Sequence, residues 1–483
     1  MPALLQINIK VMKKEVYGVE IFTNTDFIYK GLQYPPLLSS KRLSGYSKNL
    51  EKYKGEYNDG KFVYVKDKLT GQRLKYPIIT ENYFKLLTQK LEGLLLSEKP
   101  VVSCGDYTST LSSLVVESNF WAVVKQGYRN YSSLGDCVFY VSKSLEGRPM
   151  VNVTNPKGWF KVVSSTNIDE VLCHVLVQPI FEQNYASVTV PTVSHLRVLY
   201  HYKGYYIEKF FKLSNNIIGE PVDYIWQGKK VKASGRKVKT GLTDFAVFSV
   251  SNNCAVDEIY GQSDYDSTLS ALVERREVSH TLISAITERN INPLLQLPKG
   301  SARQNSKTGA VIFPGAEGGF VEVDKDAKDI KFVGLDAPID EVIRYCDSLL
   351  SELSIHSQLG MSFLSGEYSG NPSGEALKTL LKSPLDLISS VIDDFDVVLK
   401  KILCQMLILL GITDIAPNDI SIIWQDGLSE SGSVTASVIG QRVSSGTMSK
   451  KRAMVQFDGI SEEEAEKELV QINNENEGGG GSV

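Results

Sequence analysis

The residues able to do chemistry are few and scattered. The five histidines are His174, His195, His201, His280 and His356. None stands in an HExxH pair, and the chain has no GxxxxGK[ST] phosphate cradle and no GxSxG nucleophile elbow. His174 and His195 fall in or beside strand-like segments, where an isolated imidazole reads as structural rather than as a base. Asp393, Asp394 and Asp396 cluster, but on a helix they fan around the axis and suit a solvated face better than a metal. The six cysteines, Cys104, Cys137, Cys173, Cys254, Cys346 and Cys404, show no CxxC and no short pairing. They read as buried, reduced thiols, not as a disulfide framework or a zinc site. The sequence thus names no catalytic residue, no metal ligand and no cofactor.

Charge is more informative. Lys229, Lys230, Lys232, Arg236, Lys237 and Lys239 bring six cations together with no acid between them, around an Ala-Ser-Gly turn. The pattern fits an exposed, solvated hairpin or a contact with DNA or an acidic partner. Lys299, Arg303 and Lys307 form a second basic group at the tip of a β-like insertion, a place where partners dock. The whole chain is nonetheless slightly acidic, at −4 from 52 basic and 56 acidic residues. A tight nucleic-acid reader is usually basic, because phosphate contacts supply most of its affinity. If this chain meets DNA, it should guide it loosely.

At 483 residues, 42% of them hydrophobic, the chain is expected to be soluble and to hold two to four domains. The N-terminus lacks the charge and continuous apolar run of a secretory signal, and the most apolar stretch, Ile402 to Ile412, is too short to span a bilayer.

The elements that would position these groups change character along the chain. Residues 1–256 read as mixed α/β, with strands at Lys61–Lys66, Cys137–Val141, Val171–Val177 and Leu196–Phe211. Helices are expected at Thr80–Leu95, with Thr80 as cap, and at Thr110–Tyr128. A long pattern without proline then runs through Asp257–Asn290, with Ser263 as a plausible cap. From Ser263 it would extend roughly 40 Å, and Pro293 and Pro298 end it. Residues 291–336 are β-like, with short strands at Ala310–Phe313, Phe320–Val323 and Phe332–Leu335 around a Pro-Gly-Ala-Glu-Gly-Gly turn. Helix returns at Ala337–Gln358, with Pro338 in its first turn. Gly360–Gly374 is rich in glycine and serine, and a third long helix from Glu375 to Leu410 should be kinked by Pro384. A strand at Asp419–Trp424 and two short helices within 434–474 follow. The closing glycine-rich residues read as a flexible tail. A small β module carried on two long helices exposes sides that need neighbours.

Several local patterns resemble the portal proteins of tailed, siphophage-type bacteriophages. Asn252, Asn253 and Tyr260-Gly-Gln-Ser-Asp-Tyr265 look like that family's asparagine and Gly-x-Ser-Asp signature opening its long helix. Ser373-Gly-Glu-Ala-Leu-Lys378 resembles the segment that starts its kinked helix, and Lys52-Tyr-Lys-Gly-Glu-Tyr57 its early Tyr-x-Gly element. Val438–Glu475 is similar to its short-helix, acidic-helix ending. These occur in family order over nearly the whole chain.

The resemblance implies an α+β multidomain portal fold in a homo-oligomeric ring of about twelve, a closed heterologous assembly. It assigns 1–256 to the wing, 257–290 and 337–358 to the stem helices, and 291–336 to the clip. The tunnel loop would be 359–373, the rest of the wing 374–433, the crown 434–475 and the flexible tail 476–483. Such a ring sits at one capsid vertex of the virion, after assembly in the host cytoplasm. It would meet the major capsid protein and scaffold, the terminase large subunit and a head-completion adaptor. Double-stranded DNA would pass through it without sequence specificity, and no membrane is involved. Met361, Phe363, Leu364, Glu367 and Tyr368 would be the tunnel-loop residues facing DNA, with Pro384 as a hinge. The segment 257–290 carries Asp257, Glu258, Asp264, Asp266, Glu274, Glu277 and Glu288 against Arg275, Arg276 and Arg289, an acidic excess suited to low-affinity sliding. The alternative reading, a nuclease or nucleotide hydrolase of the packaging apparatus, lacks both a phosphate loop and a carboxylate set.

Overall fold

The computed structural model describes residues 20–66, 73–144, 146–182, 192–291, 294–298, 303–304, 311–312, 320–323, 331–333, 339–366, 376, 379–424, 439–455 and 465–472. They divide into two compact units, one of 1–367 with 381–426 and one of 368–380 with 427–483.

The first unit opens with helix α1, Ser40–Lys54, which stops at Gly55 in the left-handed region. A two-stranded ribbon follows, β1 at Phe62–Lys66 and β2 at Arg73–Pro77. Helix α2 spans Tyr83–Leu96, and its cap is Asn82 rather than Thr80: Asn82 Oδ1 accepts from the Lys85 amide at 3.1 Å. After β3, Val101–Ser103, the single helix expected at 110–128 is two, α3 at Thr108–Glu117 and α4 at Phe120–Leu134. Asn119, at φ 51°, breaks them apart, a conformation asparagine tolerates better than most residues.

Strands β4, Asp136–Lys143, and β5, Pro149–Thr154, come next, and then β6, Trp159–Val163, and β7, Val171–Glu182. The strand expected at Leu196–Phe211 is a hairpin, β8 at Thr192–Tyr202 and β9 at Tyr205–Ser214, turned at Gly204. The chain continues through β10 (Ile217–Pro221), β11 (Tyr224–Trp226), β12 (Lys229–Val231), β13 (Arg236–Lys239) and β14 (Val247–Ser251). The largest sheet has the order β10-β9-β8-β7-β6, with β13 also paired to β9; β14-β4-β5 form a second sheet. Period-two alternation splits the large sheet between two cores. Cys173, Val175 and Val177 of β7 pack with Phe22, Phe160, Val198 and Phe211, while Leu176 joins Trp159, Leu199, Val247 and Tyr260.

Helix α5, Ser267–Ile291, begins four residues after the expected cap. Asp266 Oδ1 accepts from the Leu269 amide at 2.7 Å and supplies the N-terminal cap; Ser263 is used elsewhere. The β excursion contains β15 (Leu294–Pro298), β16 (Arg303–Gln304), β17 (Val311–Ile312), β18 (Phe320–Val323) and β19 (Lys331–Val333). β15 lies between β18, parallel, and β19, antiparallel, and β16 pairs with β17. Helix α6, Ile339–His356, follows, and Pro338 lies outside the described residues. Met361–Ser365, expected as loop, forms the short helix α7. The long helix α8 runs Lys382–Leu409, with Leu381 at φ −95° ending the helical path before it. Pro384 thus sits in the first turn of α8, where a missing N–H costs little, instead of kinking its third turn. Ile388, Phe395, Leu399, Ile402 and Met406 bury the face that the spacing marked out. β20, Ser421–Ile423, pairs with β3.

In the second unit, helical segments at 439–444 and 465–472 flank α9, Lys450–Ala453, which Ser449 caps. Lys451 pairs with Glu466 at 2.9 Å.

Candidate functional site

Two joints, one polar and one apolar, tie the N-terminal half to α5 and the residues before it, and the polar one uses the residues that carry the family resemblance. Asn252 Nδ2 donates to Asp264 Oδ1 at 2.6 Å, and the amides of Asn252 and Asp264 donate to the carbonyls of Gly135 and Ser132 at 2.8 and 2.9 Å. Ser263 Oγ donates to the Ser133 carbonyl at 2.6 Å, so this serine anchors the end of α4 instead of capping α5. Gly135 and Gly261 allow the close approach: a Cβ on Gly261 would stand 2.0 Å from the Gly135 carbonyl oxygen. Beneath them, buried Asp136 accepts from Tyr46 Oη, from Ser251 Oγ at 2.6 Å and from the Gly261 amide at 3.1 Å. Arg42, paired with Glu20 at 2.8 Å, lies 3.9 Å over the Tyr260 ring.

Burial governs the protonation of this joint. It lifts the Asp136 carboxyl above the usual range against the pull of its donors, and it raises Asp264 to about 6. Burial also lowers Lys161, whose Nζ donates to the Ile259 carbonyl at 2.8 Å. Three of these groups, Asp136, Arg42 and Lys161, escaped the sequence reading, since each is a single charged residue in an ordinary pattern.

The second joint is a core shared by α2, α5, α6 and α7. Phe84, Leu87, Leu269, Leu272, Val273, Leu349 and Leu353 meet there with Leu359 and Leu364. The apolar faces of the two long helices, expected to need neighbouring molecules, are therefore largely covered within the chain; Ile343, Tyr345 and Ile355 remain exposed. Of the residues expected to face DNA, Met361 is 41% exposed, but Leu364 is only 6% exposed and belongs to this core. Phe363 is packed against the same core with Lys90 Nζ 5.1 Å from its ring. Both anchor a helical turn, because apolar bulk beside a core gains more by burial than by lining a loop. Glu367 and Tyr368 lie outside the described residues.

The basic set at 229–239 is divided by structure. Arg236 Nη2 and Arg197 Nε grip the buried Glu208 carboxylate at 2.6 and 2.7 Å, and Lys230 meets Asp223 at 3.1 Å. Lys229, Lys232, Lys237 and Lys239 are exposed, with Lys237 Nζ 3.7 Å from the Tyr205 ring centre. The acids were invisible in the local sequence because they come from β9 and from the turn before β11. Of the second basic group, Arg303 starts β16; Lys299 and Lys307 are outside the described residues.

The remaining candidates are structural. His174 Nδ1 accepts from Trp159 Nε1 at 3.1 Å, and burial lowers both His174 and His201 to about 3, so both are neutral. Asp394 accepts from Tyr131 Oη at 2.6 Å, and Asp396 from Trp424 Nε1 at 3.1 Å, so these two carboxylates are engaged rather than freely solvated. Five cysteines are buried as expected, but Cys254 is exposed. No group of three or more His, Cys, Asp or Glu among the described residues could hold a metal, and no described helix is long and apolar enough to cross a membrane.

No curated protein matches the chain. A family model does: residues 39–478 match the family described as "Phage portal protein, SPP1 Gp6-like".

Proposed function

The chain belongs to the phage portal protein family, SPP1 Gp6-like, and from that premise we propose that it forms a ring of about twelve copies around a DNA channel. A portal protein is a structural component of the capsid vertex that serves genome packaging. In this reading α5 and α6 are the stem, the strands β15–β19 the clip, and the rest of the first unit the wing. Residues 434–475 are the crown. The observation that supports it best is the shared core of α2, α5, α6 and α7, which packs the two long helices flanking the β excursion against a helix of the N-terminal half.

The clip end, with Lys299, Arg303 and Lys307, is the docking platform for the terminase large subunit and later for a head-completion adaptor. The major capsid protein and scaffold meet the wing. The exposed lysines of β12 and β13 offer a salt-sensitive contact to DNA or to an acidic partner. Arg236 is withdrawn from that set because Glu208 neutralises it. The segment after α7, from Gly366 through Glu367 and Tyr368, faces the passing duplex, with Met361 at its base and Pro384 marking where the chain re-enters the wing.

Sedimentation velocity and negative-stain microscopy of the purified chain test the reading. Annular particles with an axial hole are expected. Monomers alone, across all protein concentrations and salts, would sink it.

A further inference from the structure

Glu277 lies in the middle of α5 with no exposed surface at all (0%), an unusual place for a carboxylate. Its Oε1 accepts from the backbone amides of Glu81 and Asn82 at 3.0 and 3.3 Å and from Tyr57 Oη. Its Oε2 accepts from Asn58 Nδ2 at 2.7 Å. Glu81 and Asn82 immediately precede α2, so the carboxylate from α5 stands at the N-terminus of another helix, where unpaired N–H groups and the helix dipole favour negative charge.

The contact is continued along the same face of α5. One turn later, Thr281 Oγ1 accepts from the Ile79 amide at 3.0 Å and donates to the Glu277 carbonyl at 2.8 Å. Two turns earlier, Lys52 Nζ donates to Ser270 Oγ at 2.6 Å. Alongside, Arg276 and His280 both meet Glu81, at 3.1 and 2.5 Å. Every one of these partners comes from residues 52–83. Helix α2 in turn packs Phe84 and Leu87 in the core that holds Leu359 and Leu364, and its Lys90 covers Phe363.

We propose that Glu277 is the positioning residue of the stem: its carboxylate latches α5 onto the start of α2, and through α2 sets the place of α7, from which the channel-facing segment departs. Backbone amides only donate, so the position requires an acceptor, and alanine leaves four donors without one. Glutamine restores the acceptor to the two amides while losing the charge at the helix N-terminus. The consequence for the channel rests on the portal reading above; the latch itself does not.

Hydrogen exchange on the full-length chain, read by mass spectrometry, tests it without requiring a ring or DNA. In Glu277→Ala, exchange at 79–82 should rise roughly tenfold and spread to 361–365, while β4 and β14 stay as in the wild type. Glu277→Gln should fall between the two. Unchanged exchange at 79–82 would overturn the latch, as would a rise equally large in β4 and β14. A rise at 79–82 with 361–365 unchanged would overturn the coupling to α7. Should the alanine variant fail to fold, Glu277→Gln and Thr281→Val take its place, and wild-type exchange at 79–82 in both sinks the proposal. A chain that forms no rings but shows the expected exchange pattern would refute the proposed function and leave the latch standing.

Discussion

The acids between 257 and 290 and the lysines between 229 and 239 look alike in sequence, each a run biased to one sign, but two of the acids are drawn inward, whereas Asp257, Asp266, Glu274 and Glu288 stay exposed like the lysines. Asp264 and Glu277 are turned inward and spend their oxygens on Asn252, Tyr57, Asn58 and the backbone ahead of α2. Lys229, Lys232, Lys237 and Lys239 stay at the surface. The difference follows from side-chain physics. A carboxylate is a compact acceptor that converging donors can satisfy, whereas a lysine ammonium keeps its hydration by extending a long stem. An acidic count over 257–290 therefore overstates the negative charge available to a channel wall by the inward pair Asp264 and Glu277, while Lys229, Lys232, Lys237 and Lys239 remain available to a partner and Lys230 and Arg236 are met by Asp223 and Glu208.

The sharpest way to break the inward region is steric. A methyl on Gly261 would meet the Gly135 carbonyl oxygen at 2.0 Å and the Asn252 amide nitrogen at 2.5 Å, both backbone atoms that cannot rotate away. Gly261→Ala should cost more than about 3 kcal/mol, through loss of the hydrogen bonds between 132–135 and 252–264. Chemical denaturation measures it. A cost below about 1 kcal/mol would mean the joint is looser than its distances imply.

The outward region has one exception, and it gives the next largest effect. Arg236 lies in the same run as Lys237, but strand alternation turns it toward Glu208 on β9 and leaves Lys237 outside. Arg236→Ala should destabilise by about 2–3 kcal/mol, because buried Glu208 keeps only Arg197 as a charged partner. Lys237→Ala should stay within about 0.5 kcal/mol. Equal effects for the pair, by thermal denaturation, would erase the distinction between a buried ion pair and a surface charge.

What the sequence made legible divides along the same line. Helices with long periodic faces were readable: Phe395, Leu399, Ile402 and Met406 are buried as their spacing requires. The order of long helix, β excursion and long helix was readable as well, and so was the importance of Asn252, Gly261 and Asp264, through resemblance alone. The single residues that reset the backbone were not. Asn82 and Asn119 adopt left-handed conformations that cap one helix and split another, and nothing in the periodicity marks them. Nor did spacing show that Phe363 and Leu364, in a glycine- and serine-rich stretch, sit beside a core supplied by α2. Partners such as Glu208 for Arg236 are 28 residues apart and meet only when β13 joins β9.

The mildest test concerns the sign of the pH dependence at the inward joint. Asp264 is raised to about 6 by burial, above the roughly 4 of an unfolded aspartate. A raised folded value means that the folded state holds the proton more tightly. The stabilisation from this group is therefore complete below about pH 4 and is lost as pH climbs through about 6. Asparagine at this position keeps an oxygen for Asn252 and has no proton to lose. Asp264→Asn should match the wild type near pH 4 and exceed its stability by about 1–2 kcal/mol near pH 7. Unfolding free energies across that window decide it. A variant less stable than wild type at pH 7 would show that the joint uses the Asp264 charge itself rather than tolerating a buried acid for its shape.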